Sequence, residues 1–214
     1  IKKKIILVIY MKMKFKSTII LGAVTITFIP LILSYIIFVS SKISDTNEDI
    51  KNTLKEIGNI ISKNEVVREK LYNRDNDKSI QDYTKIFIEN FNDVDIIVVG
   101  DMTGEKYSHL DETQIGEIYV NEDNRDVINK GISYYSIMEG SMGTTLRWFQ
   151  PIFYNNQQVG FVMVGKYEKD IAIITSQTKF TYSLLFVFSI SLSIIGAKIL
   201  ADKTKKSILN MEPL

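Results

Sequence analysis

Three nitrogen-bearing side chains are suited to binding an anion, and they come from two separate segments of the chain. Residues 103–110, TGEKYSHL, contain Lys106 and His109, the only histidine among 214 residues. Residues 144–152, TTLRWFQPI, contain Arg147 as their one charge. Arginine pairs with a carboxylate through a planar fork, lysine carries three donors, and histidine donates from one or both ring nitrogens. With hydroxyls and aromatics nearby, these residue types predict an anion pocket.

Structural roles compete with this prediction. A lone histidine is more often a satisfied core or surface residue, and a strand arginine usually pairs with aspartate or glutamate. Strict alternation along a strand also puts Lys106 and His109 on opposite faces, so they converge only if the chain bends or bulges. The strand around Arg147 alternates simply. Its two predicted faces carry Thr145, Arg147 and Phe149 on one side and Leu146, Trp148 and Gln150 on the other.

Binding explains these residues better than catalysis does. The sequence lacks the GxSxG, HExxH and P-loop patterns, and it contains no cysteine. With one histidine and no thiolate, neither a multi-histidine site nor a zinc–cysteine site can form, so we expect no metal and no cofactor. The acidic pair Asp111–Glu112 lies in a polar loop, where solvation explains it.

The elements that must position these residues follow from hydrophobic periodicity. Apolar residues at three- and four-residue spacing predict helices over residues 43–61, 66–72 and 80–91. β-Branched runs and turn signals predict strands over residues 94–99, 105–108, 132–138, 144–154 and 159–167, with a short helix at 123–129. A helix resumes at residue 168. This order predicts an α+β fold whose antiparallel sheet packs on long N-terminal helices and leaves its other face for a pocket.

Two apolar segments frame this domain. Residues 18–39 carry no charge in 22 residues, and residues 180–197 carry none in 18. A bilayer core of about 30 Å takes about 20 apolar helical residues, so both segments predict transmembrane helices, the second extending to residue 200. The alternative for the first segment is a cleaved signal peptide, although the apolar stretch is long for one, and for the second a buried core helix.

The charges beside these segments predict the orientation. Lysines without acids precede the first segment, and four lysines follow the second, at Lys198, Lys203, Lys205 and Lys206. The positive-inside rule then places both ends in the cytoplasm of a multi-pass plasma-membrane protein. The predicted divisions are a cytoplasmic tail at 1–17, membrane helices at 18–39 and 180–200, an extracytoplasmic domain at 40–179, and the cytoplasmic start of a signalling region at 201–214.

The predicted outside domain is acidic. Residues 42–177 contain 23 acidic and 15 basic side chains, a net charge of −8. Because nucleic-acid binding needs a basic surface, we expect no nucleic-acid partner.

Four motifs in sequence order resemble one family of bacterial receptors. They are GDMTGEKYSHL, TQIGEIY, SMGTTLRWFQPI and GFVMVGKY, with KKSILNMEPL at the end of the chain. Together they resemble the sensor domain of the two-component histidine kinases for citrate and C4-dicarboxylates. The resemblance implies a PAS-like single Cache domain outside the cell, between two membrane helices, the second leading to a cytoplasmic PAS domain and a kinase. It covers residues 97–214 well, and only the helical layout matches before them.

The resemblance also implies a binding site for a small di- or tricarboxylate. The family's Arg-x-x-His element matches Lys106 and His109, with lysine replacing arginine, and its Leu-Arg element matches Arg147. A point charge in place of a fork can alter ligand choice or affinity. The hydroxyl-rich turn of the citrate sensors adds three candidate ligand contacts, Ser141, Thr144 and Thr145.

Aromatic positions favour a C4-dicarboxylate over citrate. The two aromatics of the dicarboxylate sensors match Tyr119 and Phe149. Citrate sensors instead carry a lysine at the second of these positions and a threonine at the position of Val98. Both residues are absent from this sequence.

The resemblance implies a membrane-bound signal receptor. We expect this chain to be the sensor half of a histidine kinase, cut before its PAS and kinase domains, embedded in the lipid bilayer as a parallel homodimer. Whether it belongs to an enzyme stays open, because no kinase residues are present, and a response regulator would contact only the kinase region. Two alternatives remain, a chemoreceptor fragment with the same outside domain and a membrane-anchored interaction protein that senses nothing.

Overall fold

The computed structural model describes residues 2–140 and 143–210 of the chain. Within them lie five α-helices, α1 (Lys2–Lys63), α2 (Glu65–Asn73), α3 (Ser79–Asn90), α4 (Arg125–Lys130) and α5 (Glu168–Asn210). The four strands are β1 (Ile96–Asp101), β2 (Tyr134–Gly140), β3 (Gly143–Tyr154) and β4 (Gln157–Tyr167). The chain divides into two compact units, residues 44–175 and the segments on either side of them.

The four strands form one antiparallel sheet in the order β1-β4-β3-β2. The hairpin joining β3 to β4 turns at Asn155 and Asn156, whose φ angles of 48° and 62° are both positive. Asparagine tolerates this left-handed conformation, and a two-residue hairpin needs it at both positions. The two predicted strands 144–154 and 159–167 are therefore joined by this turn, which fixes the register that brings the two longest strands together.

The inner face of the sheet packs on the helices. Four residues at helical spacing point inwards from α1 and are almost fully buried, namely Ile50, Leu54, Ile57 and Ile61. They join Leu146 and Trp148 of β3 in one apolar cluster. Gly58 allows the indole to approach the helix, since a Cβ there would lie 2.8 Å from Trp148 Cδ1. The predicted α+β class, with the sheet on long N-terminal helices, is confirmed.

The predicted strand at 105–108 is wrong. Asp101 Oδ1 accepts hydrogen bonds from two following backbone N–H groups, at 2.8 and 2.9 Å, and Gly104 takes a φ of +87°. The bridges that remain are isolated ones, between Gly100 and Lys106 and between Glu105 and Ile118. A side chain thus bonds the backbone groups that a strand ladder would have used. The resulting bend, rather than strict alternation, positions Lys106 and His109.

The helical unit contains both apolar segments. The stretches Ile20–Lys63 and Glu168–Thr204 are each long and apolar enough to cross a membrane. Within this unit the Tyr35 hydroxyl lies 2.9 Å from Ser183 Oγ on the other helix. Interhelical hydrogen bonds of this kind help helices associate in lipid, where burial of apolar surface gives little driving force.

Candidate ligand-binding site

A cavity of about 230 Å³ lies on the outer face of the sheet. The described residues that line it are Ile96, Val98, Lys106, His109, Gln114, Tyr119, Val120, Asn121, Gly140, Gly143, Thr145, Arg147, Met163 and Tyr167. Apolar side chains from β1 and β4 supply one part of this lining, and nitrogen-bearing side chains supply another. An enclosed apolar wall with a few convergent polar groups is the usual composition of a small-molecule site.

A glycine allows two lining side chains to pack closely below the cavity. Gly165 of β4 lies between Ile96 of β1 and Arg147 of β3 in the strand register. A Cβ at this position would lie 2.8 Å from the Thr145 side chain and 2.9 Å from that of Ile96. The glycine therefore lets these two lining side chains meet over β4, where any other residue would push them apart.

Lys106 brings a buried charge to the cavity. It is 5% exposed, and Nζ donates to Gln114 Oε1 at 3.1 Å. Its backbone is held by Glu117 O, which accepts from the Lys106 N–H at 3.0 Å. Burial lowers the pKa of Lys106, and the Glu117 charge opposes that shift. Within the described part of the chain the ammonium has no ion-pair partner, so its charge is available to an anion.

His109 is held by its own backbone surroundings. Gln81 accepts from the His109 N–H at 2.9 Å and donates to its carbonyl at 3.0 Å. The Asp111 N–H donates to the imidazole Nδ1 at 3.0 Å. Burial lowers the pKa of His109, the charge of Lys106 adds to this shift, and the backbone and charge of Asp111 oppose it. The imidazole is therefore neutral near pH 7. Its Nδ1 also lies 3.1 Å from the Asp111 carbonyl, so the two tautomers differ in which Asp111 backbone group bonds the ring.

Arg147 is 3% exposed and reaches the cavity from β3. Nη1 donates to Asp123 Oδ2 at 2.9 Å and to the Tyr119 hydroxyl at 3.1 Å, while Nη2 donates to the Met138 carbonyl at 3.2 Å. Nε has no hydrogen-bond partner among the described residues. Gly140 makes room for the group, since a Cβ there would lie 2.7 Å from Nη2. With the Asn121 amide turned, its oxygen also accepts from Nη2 at 3.2 Å, so the guanidinium is held on several sides and only Nε is unpaired among the described residues.

Asp123 is the partner of Arg147 that sequence reasoning did not find. Its carboxylate is 5% exposed and accepts from the Ser136 hydroxyl at 3.1 Å and from the Tyr119 hydroxyl at 3.3 Å, besides the arginine. Its carbonyl accepts from the Tyr134 hydroxyl. The pairing rule for strand arginines was the available signal, but nothing in the sequence distinguished this carboxylate from the domain's other acids.

The two predicted aromatics take different positions. Tyr119 lines the cavity, and burial raises the pKa of its hydroxyl, with the Arg147 charge opposing. Phe149 is fully buried and does not reach the described lining. Its ring lies edge-on to Tyr119 at 6.2 Å and stacks on Tyr134 at 5.2 Å. Phe149 thus supports the wall that Tyr119 presents.

The three predicted hydroxyls also separate. Thr145 lines the cavity, although its Oγ1 donates to the Gly143 carbonyl at 3.0 Å. Thr144 lies in a neighbouring surface depression together with residues at the start of α5. Ser141 falls outside the described residues. Only Thr145 of this group is therefore placed beside the three nitrogen-bearing side chains.

Tyr167 is a lining residue that the sequence analysis did not propose. It is the last residue of β4, and α5 begins at the next position. Alternation along β4 was a usable signal, because it puts Met163 and Tyr167 on the same face.

A family comparison decides what kind of domain this is. The profile described as single Cache domain 3 matches residues 42–173. The chain belongs to the single Cache domain 3 family. This confirms the resemblance drawn from the motifs, and the match covers the unit that holds the cavity.

Relatives of this single Cache domain are sensor kinases. A protein of Bacillus subtilis (strain 168) named "probable C4-dicarboxylate sensor kinase" is 29% identical over 194 residues, which are 85% of this chain and 36% of that protein. The chain therefore spans little more than a third of the length of this relative.

Two solved sensor domains are also similar. The Escherichia coli DcuS sensor domain has a TM-score of 0.55 and 26% identity, covering 59% of this chain and 95% of that one. A histidine kinase sensor domain from Clostridium perfringens is 58% identical, covering 56% of this chain and 95% of that one, with a TM-score of 0.40. The family match, the Bacillus subtilis relative and the DcuS sensor domain together show a single Cache domain of the kind that citrate and C4-dicarboxylate sensor histidine kinases carry.

Proposed function

We propose that the cavity binds a small carboxylate, and that the chain is the ligand-sensing part of a membrane-bound sensor histidine kinase. The observation that carries the proposal is the convergence of Lys106, His109 and Arg147 on one cavity, although they come from different segments. All three are at most 8% exposed. Burying the charge of Lys106, which has no ion-pair partner among the described residues, is costly unless an anion pairs with it.

The contacts favour a four-carbon dicarboxylate. Lys106 supplies a charge without an ion-pair partner, His109 supplies an imidazole nitrogen, and Arg147 supplies a guanidinium fixed at the wall of the cavity. The remaining wall is apolar, with Val98 at the position where citrate sensors carry threonine. A small acid with a short hydrocarbon middle matches this lining better than citrate, whose extra carboxylate and hydroxyl need further polar partners. The printed name of the Bacillus subtilis relative, a C4-dicarboxylate sensor kinase, agrees with this choice.

The signal is proposed to leave through the second membrane helix. Tyr167 lines the cavity and directly precedes α5, so a ligand that contacts it acts on the start of that helix. Ligand would select one of two pre-existing arrangements of the sheet and shift α5 by a small amount. The kinase belongs to the longer protein that we infer, and a response regulator would contact only that kinase region. The proposed assembly is a homodimer.

The same proposal fixes the arrangement in the membrane. Residues 18–39 and 180–200 span the bilayer, residues 40–179 lie outside the bacterial cell, and the tails 1–17 and 201–214 are cytoplasmic. Two helices of sufficient length and apolarity support this, as do the lysines that flank them.

Calorimetric titration of the full chain in lipid nanodiscs tests the proposal. We expect succinate, fumarate or malate to bind, and citrate to bind more weakly. Arg147→Gln should weaken binding by roughly ten- to a hundredfold, because one charge-assisted hydrogen bond contributes about 1.5–3 kcal/mol. The matched control is Arg125→Gln, which removes an exposed arginine paired only with Glu122 and should leave affinity unchanged. If the unaltered chain binds none of the four acids, the proposed function is wrong.

A further inference from the structure

Arg147 is already neutralised by an internal carboxylate. Asp123 Oδ2 lies 2.9 Å from Nη1, and neither side chain is more than 5% exposed. Separating such a pair would leave one charge unpaired in a poorly solvated site, so the two stay together. Arg147 therefore reaches the cavity as a hydrogen-bond donor whose charge is balanced.

The charges around the cavity sum to a small positive value. Among the described lining residues, Lys106 and Arg147 are the cations, and none is an acid. Asp123 adds one negative charge through its ion pair, and the imidazole of His109 is neutral near pH 7. One positive charge, that of Lys106, has no ion-pair partner among the described residues, although the charge of Glu117 acts on it. A bound monoanion would balance it, whereas a dianion would leave one negative charge over.

We propose that Asp123 is a specificity-determining residue that sets the charge of the acid the cavity prefers. By neutralising Arg147, Asp123 reduces the difference in affinity between a dianion and a monoanion of the same shape. The Asp123 carboxylate already supplies the negative charge that a second ligand carboxylate would bring to Arg147. This inference rests on the proposed binding of carboxylates at this cavity, and it concerns which of them bind rather than whether they bind.

Asp123→Asn removes the negative charge at this position and keeps the shape of the side chain. The side-chain oxygen of Asn can still accept from Arg147, as Asp123 does now. The partners of the carboxylate besides the arginine are the hydroxyls of Tyr119 and Ser136, and a hydroxyl can accept from an amide as readily as it donates to a carboxylate. Asp123→Asn therefore keeps the hydrogen-bonded frame of the site while raising its net charge by one.

The test compares two acids of one shape. Succinate is a dianion at pH 7.5, and its monoamide, succinamate, is a monoanion. Both are titrated calorimetrically into the full chain in nanodiscs of neutral phosphatidylcholine. A unit charge within about 7 Å of a ligand carboxylate changes affinity by roughly tenfold or more at an effective dielectric constant of about 20. We therefore expect Asp123→Asn to raise the preference for succinate over succinamate by about tenfold or more.

Two further variants make the test specific. Asp126→Asn removes the same charge from an exposed carboxylate paired with Lys130, and it should change the preference by less than about twofold. Asp123→Glu restores a carboxylate and should return the preference towards that of the unaltered chain. A purely structural role for Asp123 would alter affinity for both acids together and leave their ratio unchanged.

A variant that adds a negative charge beside the cavity provides a second test if Asp123→Asn fails to fold. Gln114→Glu puts a carboxylate where Gln114 Oε1 already accepts from Lys106, so it adds a favourable ion pair. It should lower the preference for succinate by about tenfold or more. An unchanged preference in Asp123→Asn or in Gln114→Glu overturns the inference but leaves carboxylate binding intact. Failure of the unaltered chain to bind either acid contradicts the proposed function instead.

Discussion

His109 links the acidity of the surroundings to the stability of the sheet unit. Burial lowers the pKa of His109 in the folded chain, so below about pH 6.5 the unfolded chain binds more protons than the folded one. Stability from this residue is therefore full above that pH and falls as the pH drops towards the folded-state pKa. The groups that face the ring are Asp111, whose backbone and charge oppose this lowering of the His109 pKa, and Lys106, whose charge adds to it.

The melting temperature of the ligand-free chain measures this effect. Between pH 7.5 and 5.5 we expect it to fall more steeply for the unaltered chain than for His109→Gln, in full-length protein in nanodiscs. The difference isolates one group, because His109 is the only histidine in the sequence. Parallel curves for the two proteins would show that His109 has no part in the pH dependence.

The residue types in the sequence identified the candidate hydrogen-bond donors of the site, but the partners of these donors could be identified only from the structure. The apolar run around Arg147 and the unusual setting of His109 were sufficient to select them, and strand alternation placed Thr145 beside the arginine. Asp123 was not selected although a short helix was predicted at 123–129, because the prediction does not say which side chain of that helix is buried against β3. In the structure a 3-10 turn at Glu122–Asn124 precedes α4 and brings Asp123 to Arg147.

The strands were predictable where turn residues bounded them. Asn155–Asn156 and the β-branched runs located β1, β3 and β4 to within a few residues. The strand predicted at 105–108 does not form, because Asp101 bonds the backbone of its own turn and a local side-chain bond of this kind competes with a strand ladder. The irregular backbone brings Lys106 and His109 to one cavity, whereas a regular strand would have put their side chains on opposite faces.

A buried ion pair joins the start of β1 to the end of β4. Lys166 Nζ donates to Asp95 Oδ1 at 2.9 Å and to the Asn92 carbonyl at 2.7 Å. The other carboxylate oxygen of Asp95 accepts from the Tyr167 N–H at 2.7 Å. One aspartate thus fixes the two residues that immediately precede α5. Lys166 is 4% exposed, so these partners replace the water that its ammonium would otherwise contact.

Asp95→Ala should destabilise the sheet unit strongly. Removing one partner of a buried pair leaves the other charge uncompensated, which costs about 3 kcal/mol or more. Asp126→Ala is the matched control, because its ion pair with Lys130 is exposed and is worth less than about 1 kcal/mol. Urea unfolding of the full chain in nanodiscs, followed by the fluorescence of Trp148, the only tryptophan, compares them. Equal losses in both variants would mean that the β4 pair contributes no more than a surface contact.

The two compact units divide the chain by chemistry as well as by contacts. The acidic, sheet-containing unit of residues 44–175 carries the cavity, and the segments on either side supply the apolar helices. An acidic surface keeps such a domain soluble, while the cations that a carboxylate needs are confined to the cavity. The proposed sensing role therefore depends on one unit facing water on the outside and the other lying in lipid.

The absence of cysteine from the sequence allows this arrangement to be tested one residue at a time. Asp126→Cys places a thiol on the exposed start of α4, and Lys203→Cys places one on the exposed part of α5 beyond the second apolar segment. Each variant is expressed in bacteria and treated with a membrane-impermeant maleimide before and after permeabilisation. Because the positive-inside rule puts the lysine-rich flank in the cytoplasm, we expect residue 126 to react in intact cells and residue 203 only after permeabilisation. The unaltered chain should not react at all, and the reverse order of labelling would place the cavity on the cytoplasmic side and exclude an extracellular ligand.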